Sequence, residues 1–265
     1  MYAIRVITLP TELDSDFHVD VDEDLIRELV NKNWPNCINI HEILKETGHI
    51  DRLWIRMDWG SSSLRTLLNT GWRFTGALWL DVMRGIANGV SYLHANRIFH
   101  GDLKPSNSTS LLLAFLSLVF VRIDHEPCTL SWDQIYISEL GVRHWFAEYN
   151  REKRQIIKIP GTRAYVAPET LKNGGDESIS GASDIWSIGC IGAELVTNRK
   201  LFESPEMLEA FIEDGDVDEN QMELLRRAPE VIHILGGCMK SDRDLWVNIF
   251  DLRAELERER EKFPP

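Results

Sequence analysis

Apolar residues recur along this chain with two different periods. Near the start, Tyr2-Ala3-Ile4-Arg5-Val6-Ile7 has the β-branched content of a strand. An acidic stretch, Asp14 to Asp24, follows and reads as a solvated loop or helix start. Leu25, Ile26, Leu29 and Val30 then fall at helical spacing and predict a helix over 22–32. Asn33-Trp34-Pro35-Asn36 ends it, because proline disfavours helical backbone in the residue before it. Two strands are predicted over 38–44 and 52–57, joined by a turn around Gly48. Gly60-Ser61-Ser62-Ser63 breaks the pattern and reads as a hinge. Beyond it the period becomes helical. Leu78, Val82, Met83, Ile86, Val90 and Leu93 make one face of a helix ending at Ala95. The stretch 183–197 is apolar nearly all round, as a buried helix should be, whereas 205–213 and 245–262 are amphipathic. The pattern predicts an α+β chain with a small strand-rich part (1–58) and a larger, mainly helical part (59–265).

Composition narrows the classes. Hydrophobic residues make up 43% and charged residues 27%, an ordinary globular balance. The net charge of −13 argues against a general affinity for nucleic acid or anionic membrane. Cys37, Cys128, Cys190 and Cys238 form no C-x-x-C pair and read as reduced, buried thiols of a reducing compartment, cytoplasm or nucleus. The apolar run Leu111 to Val121 is shorter than the roughly 20 residues a spanning helix needs. Met1 to Pro10 lacks the features of a secretory signal.

The chemistry concentrates after the long helix, in His100-Gly101-Asp102-Leu103-Lys104-Pro105-Ser106-Asn107. Phosphoryl transfer needs such a set: a carboxylate to orient a hydroxyl and accept its proton, a lysine to neutralise the moving phosphoryl group, and an amide oxygen to help hold magnesium. This string resembles the catalytic loop of the eukaryotic protein kinase family, H-R-D-L-K-P-x-N in the serine/threonine branch. Segments similar to other family motifs follow in order. Ile135-Tyr136-Ile137-Ser138-Glu139-Leu140-Gly141 stands where the D-F-G strand and turn should be. Gly161-Thr162-Arg163-Ala164-Tyr165-Val166-Ala167-Pro168-Glu169 closes in A-P-E, and Ser183-Asp184-Ile185-Trp186 resembles the buried helix start after it. Leu53 to Trp59 resembles the last N-lobe strand and hinge, and Tyr2 to Ile7 the V-A-I-K strand.

The resemblance implies a two-lobe kinase fold with a small, incomplete antiparallel N-lobe sheet and a helical C-lobe, together with ATP and magnesium as cofactors and a protein substrate or partner. It implies Asp102 as catalytic base, Lys104 against the transferred phosphate, Asn107 as nucleotide and magnesium ligand, and Thr162 in the substrate loop. Arg5, Asp58, Trp59 and Glu139 complete the nucleotide site, Glu139 also as metal ligand, with Met57 behind the adenine. Asp184 and Glu169 brace the catalytic loop and the activation segment.

Departures from the pattern imply weakened or lost transfer, or a pseudokinase-like binding module. The glycine-rich loop and two strands expected before the V-A-I-K strand are missing, which implies an N-terminally truncated member. Arg5 replaces the lysine, with Glu23, Asp24 and Glu28 as candidate partners. Glu139 replaces the aspartate of D-F-G, one methylene longer than magnesium's strict geometry suits. Gly101 replaces the arginine of H-R-D that clamps an activation-loop phosphate, with Arg151, Lys153 and Arg154 as substitutes. An apolar insertion at 108–120 threatens the register of Asn107 with Glu139. Trp246 stands where Glu169's arginine partner belongs, leaving Arg243 or Arg253 to serve.

Overall fold

The fold was analysed in a computed structural model. It describes residues 2–8, 29–46, 52–60, 62–74, 76–110, 135–138, 140, 163–172, 179–214, 219–226, 228–239 and 247–263.

The three predicted strands form one antiparallel sheet. They are β1 (Tyr2–Thr8), β2 (Ile40–Glu46) and β3 (Arg52–Asp58), in the order β1-β3-β2. Pairing Arg5 with Ile55 and Ile43 with Ile55 puts Leu53, Ile55, Met57 and Ile43 on one buried face. The period of two puts Ile4, Val6, Leu44 and Trp54 on the other, exposed face. The helix expected over 22–32 is described only at its end. Leu29 is helical, Val30 already bridges Ile40, and Asn31 and Asn33 adopt left-handed backbone (φ 58 and 49), so the helix stops short of Lys32.

A second small sheet comprises β4 (Ser62–Ser63), β5 (Ser108–Ser110) and β6 (Ile135–Ile137), its first strand being the last two residues of the predicted hinge. The insertion expected from Ser108 therefore does not begin there: Ser108 to Ser110 is a strand, paired Ser108↔Ile137 through Ser110↔Ile135. The rest of that stretch, 111–134, lies outside the described residues.

Helices α1 (Leu64–Asn69), α2 (Gly76–Ala95), α3 (Pro168–Lys172), α4 (Gly181–Thr197), α5 (Pro205–Asp214), α6 (Glu219–Arg226), α7 (Pro229–Cys238) and α8 (Ile249–Glu261) build the larger part. α2 is its axis and packs against α4, α8 and β6. Its Val82, Met83, Ile86, Val90 and Leu93 are fully buried, as the sequence predicts, whereas Leu78 of the same predicted face is only partly buried and Leu80, not in the predicted set, is fully buried. Gly89 makes this packing possible, since a Cβ there would lie 2.6 Å from the Asn36 carbonyl oxygen and 3.0 Å from Ile137. That contact joins the two parts, as do Ile38 N–H to Ile137 O (2.9 Å), Ile137 N–H to Asn36 O (2.8 Å) and Asn36 Nδ2 to Ile135 O (2.7 Å).

α4 starts in a capping box, Ser180 with Ser183, and ends at Asn198 in the left-handed region (φ 57). α8 starts at Ile249 rather than at the expected Leu245, because Asn248 Oδ1 accepts the Phe250 and Asp251 N–H groups (3.0 Å each) and caps the helix there. Its polar face docks on α2 through Arg260 Nε to Asp81 Oδ1 (2.9 Å) and Arg84 Nη2 to Glu257 Oε2 (2.5 Å). Cys37, Cys190 and Cys238 are buried free thiols, and Cys128 lies outside the described residues. Among the described residues, no helix is long and apolar enough to cross a membrane.

Candidate functional site

The loop His100–Asn107 leaves the C-terminal end of α2 and runs into β5, between the long helix and the second sheet. Its course is set from below by Asp184, on the first turn of α4 and fully buried. One Asp184 oxygen accepts the His100 N–H (2.8 Å) and the His94 ring nitrogen Nε2 (2.8 Å), and the other accepts the Gly101 N–H (2.8 Å). Burial alone would push this carboxyl up. His94, the nearby His100 and the Gly101 N–H together hold it below the ordinary carboxylate value. Gly101 adopts φ +75, a conformation that favours glycine over the arginine of the kinase pattern. His100 is buried and pinned at both ring nitrogens: Nδ1 accepts the Asp102 N–H (3.3 Å), and Nε2 donates to Ser138 O (2.8 Å).

These anchors leave Asp102 half-buried, its side chain 19% exposed. Lys104 Nζ lies 2.5 Å from Asp102 Oδ2. Asn107 Nδ2 donates to Asp102 O (2.9 Å) and Oδ2 (3.2 Å), which orients its amide. The structure thus brings Asp102, Lys104 and Asn107 together around one carboxylate.

The expected loss of register beyond Asn107 does not occur at the described positions. Ser138 donates its N–H (2.9 Å) and its hydroxyl (3.2 Å) to Asn107 O, so the residue before Glu139 is tied directly to Asn107. Glu139 itself lies outside the described residues. So do Thr162, the candidate acids Glu23, Asp24 and Glu28, the basic trio Arg151, Lys153 and Arg154, and Trp246 with Arg243.

Arg5 pairs with Ile55 and so stands on the core-facing side of the first sheet, in an exposed position. Asp58 ends β3, its N–H on Asn39 O (3.0 Å) and its carboxylate 2.6 Å from His41 Nε2. Trp59 follows, half exposed. Arg253 does not serve Glu169: it donates to Asn88 Oδ1 and Ser91 Oγ on α2 (3.2 Å each).

Three residues of this region were not singled out in the sequence: His94, Arg65 and Glu194. Glu194 had a signal: with Asp184 it is one of two carboxylates in a helix otherwise apolar nearly all round.

Comparison with known proteins bears on these observations together. A family model for the protein kinase domain matches residues 1–249. Human cyclin-dependent kinase 11A is 29% identical over 178 residues, 67% of this chain and 20% of its own length. Serine/threonine-protein kinase SSN3 of Yarrowia lipolytica is 29% identical over 186 residues, 70% of this chain and 38% of its own. Probable cyclin-dependent kinase 8 of Dictyostelium discoideum is 26% identical over 239 residues, 85% and 52%. The chain therefore spans between a fifth and about half of the length of these relatives. The crystal structure of Rad53 1-466 in complex with AMP-PNP shares the fold, with a TM-score of 0.68 at 19% identity over 95% of this chain and 56% of that one. With the two-lobe α+β architecture and the ordered motifs, the match over 1–249 shows that this chain belongs to the protein kinase domain family.

Proposed function

We propose that this chain is a serine/threonine-type kinase domain that transfers the γ-phosphate of ATP to protein hydroxyls at a low rate. The observation that carries this reading is one half-buried carboxylate, Asp102, held between Lys104 and Asn107 on a loop braced by Asp184. Asp102 orients the attacking hydroxyl and takes its proton. Lys104, already beside it, turns its ammonium to the transferred group. Asn107 commits its amide hydrogens to Asp102 and offers Oδ1 as a hard oxygen donor.

Among the described residues, no three His, Cys, Asp or Glu side chains are grouped to hold a metal ion by themselves. Magnesium suits such a site, because it keeps several waters and substrate phosphates and takes only one or two protein oxygens. Asn107 and Glu139 would supply those two, and Arg5, Asp58 and Trp59 would line the nucleotide site. Bound magnesium ATP supplies the phosphoryl group and its charge neutralisation. The division at residue 58, with the nucleotide between the parts, belongs to the same reading, as do a protein substrate and a place in the cytoplasm or nucleus.

The low rate follows from the residue types. Arg5 is planar and bulkier than lysine. Glu139 is one methylene too long, and a displacement near 1 Å costs on the order of a hundredfold. The same two residues, with Gly101, favour a second reading, a pseudokinase-like protein-binding module. Thermal shift with ATP and magnesium separates the two. Nucleotide at 100 times its dissociation constant stabilises by about 2.7 kcal/mol. A clear rise in melting temperature is expected, and no shift at millimolar ATP would remove the enzyme reading.

A further inference from the structure

α4 carries a carboxylate, Glu194, in its last turns, with its side chain 2% exposed. A buried charge needs a partner. Here it comes from a distant element. Arg65, on α1, places Nη2 2.8 Å from Glu194 Oε1 and 2.6 Å from the Tyr165 phenol oxygen. Tyr165 accepts that hydrogen bond and donates its own O–H to Glu194 Oε2. Burial first, then the charge of Glu194, push the Tyr165 phenol far up, which keeps it a donor. The other end of Tyr165 is held as well, since its carbonyl accepts the Ser187 hydroxyl (2.7 Å) from the same helix. Tyr165 belongs to the short 3-10 turn Arg163–Tyr165, which only Val166 separates from Ala167-Pro168-Glu169. α1 starts at its Ser63 cap straight after the hinge and packs on the turn Pro105–Asn107.

One guanidinium therefore ties α1 to the segment before Ala-Pro-Glu, while α1 itself packs on the turn that carries Asn107. We propose that Arg65 is a positioning residue: acting through Tyr165 and Glu194, it holds segment 163–167 in place as the wall that a protein substrate meets. The role of the wall rests on the kinase reading above, but the placement is testable without nucleotide. Hydrogen exchange by mass spectrometry on the full chain, with no ATP present, compares wild type with Arg65→Met, Arg65→Lys, Tyr165→Phe and the double variant Arg65→Met/Glu194→Gln. Arg65→Met should speed exchange over 163–170 about tenfold while α2 stays within about twofold, a local opening rather than a global one. Arg65→Lys should recover most of the protection. The double variant should fall between them, because no uncompensated charge is left buried. Should Arg65→Met fail to fold, Tyr165→Phe still decides, as it should open 163–170 and leave α1 protected. Unchanged exchange over 163–170 in Arg65→Met or Tyr165→Phe, or an equal rise across α2 and α4, would overturn the proposal. Loss of ATP binding alone would leave it standing.

Discussion

Replacing Asp184 is the sharpest perturbation of the loop that carries Asp102. In Asp184→Ala the His100 and Gly101 N–H groups and His94 lose an acceptor 2.8 Å away, at a site with no exposure. Each buried donor left without a partner costs about 1–3 kcal/mol. Relaxation recovers part of that, so the sum comes to about 3–5 kcal/mol. This is a large share of the 5–15 kcal/mol typical of a folded domain. Asp184→Asn keeps one acceptor oxygen but turns an NH₂ group toward a donor, and should cost about 2–3 kcal/mol. Urea denaturation measures both as a drop in midpoint at unchanged slope. The pH dependence has a definite sign. Asp184 is held below its ordinary value of 3.8 in the fold, so its stabilising effect is full above that pH and fades as pH falls through the lower folded value. The gap between wild type and Asp184→Asn should therefore be flat near neutrality and shrink below about pH 4. A loss under about 1 kcal/mol for Asp184→Ala, or a gap that widens in acid, would refute the bracing role.

Further expectations follow from single contacts. Gly89→Ala puts a methyl group 2.6 Å from Asn36 O and should destabilise by about 1–3 kcal/mol in urea, despite the higher helix propensity of alanine. Gly101→Arg restores the family's residue at a backbone angle of φ +75 and should cost about 1–2 kcal/mol rather than stabilise, read by the same denaturation midpoint. Burial pushes the thiol of Cys238 up to about 12 and those of Cys37 and Cys190 further, so all three should resist alkylation in the native chain and label only on unfolding, as mass spectrometry would show.

Where local pattern and tertiary packing agree, the sequence alone reads well. The alternation in 52–57 and the apolar face from Val82 to Leu93 match β3 and α2, because both elements bury the face their period marks. The catalytic-loop string stands as one unit because its contacts are short-range: Lys104 and Asn107 lie within five residues of Asp102. Long-range contacts escape this kind of reading. Arg65 and Tyr165 are 100 positions apart, and nothing local marks either as a partner of Glu194. At 108–110 the register is set by pairing of β5 with β6, a contact between segments distant in sequence that the apolar run after it does not announce. The start of α8 depends on a side-chain cap at Asn248 that outweighs the amphipathic pattern before it.

The central claim is that Asp102 serves as proton acceptor in a phosphotransfer loop. Incorporation of labelled γ-phosphate from magnesium ATP into serine- and threonine-containing protein tests it most directly, comparing purified wild type with Asp102→Asn at matched folding. The account predicts slow incorporation by wild type, on serine and threonine, falling to background in Asp102→Asn. Equal incorporation by the two proteins, or none by a wild type shown to bind the nucleotide, would contradict it.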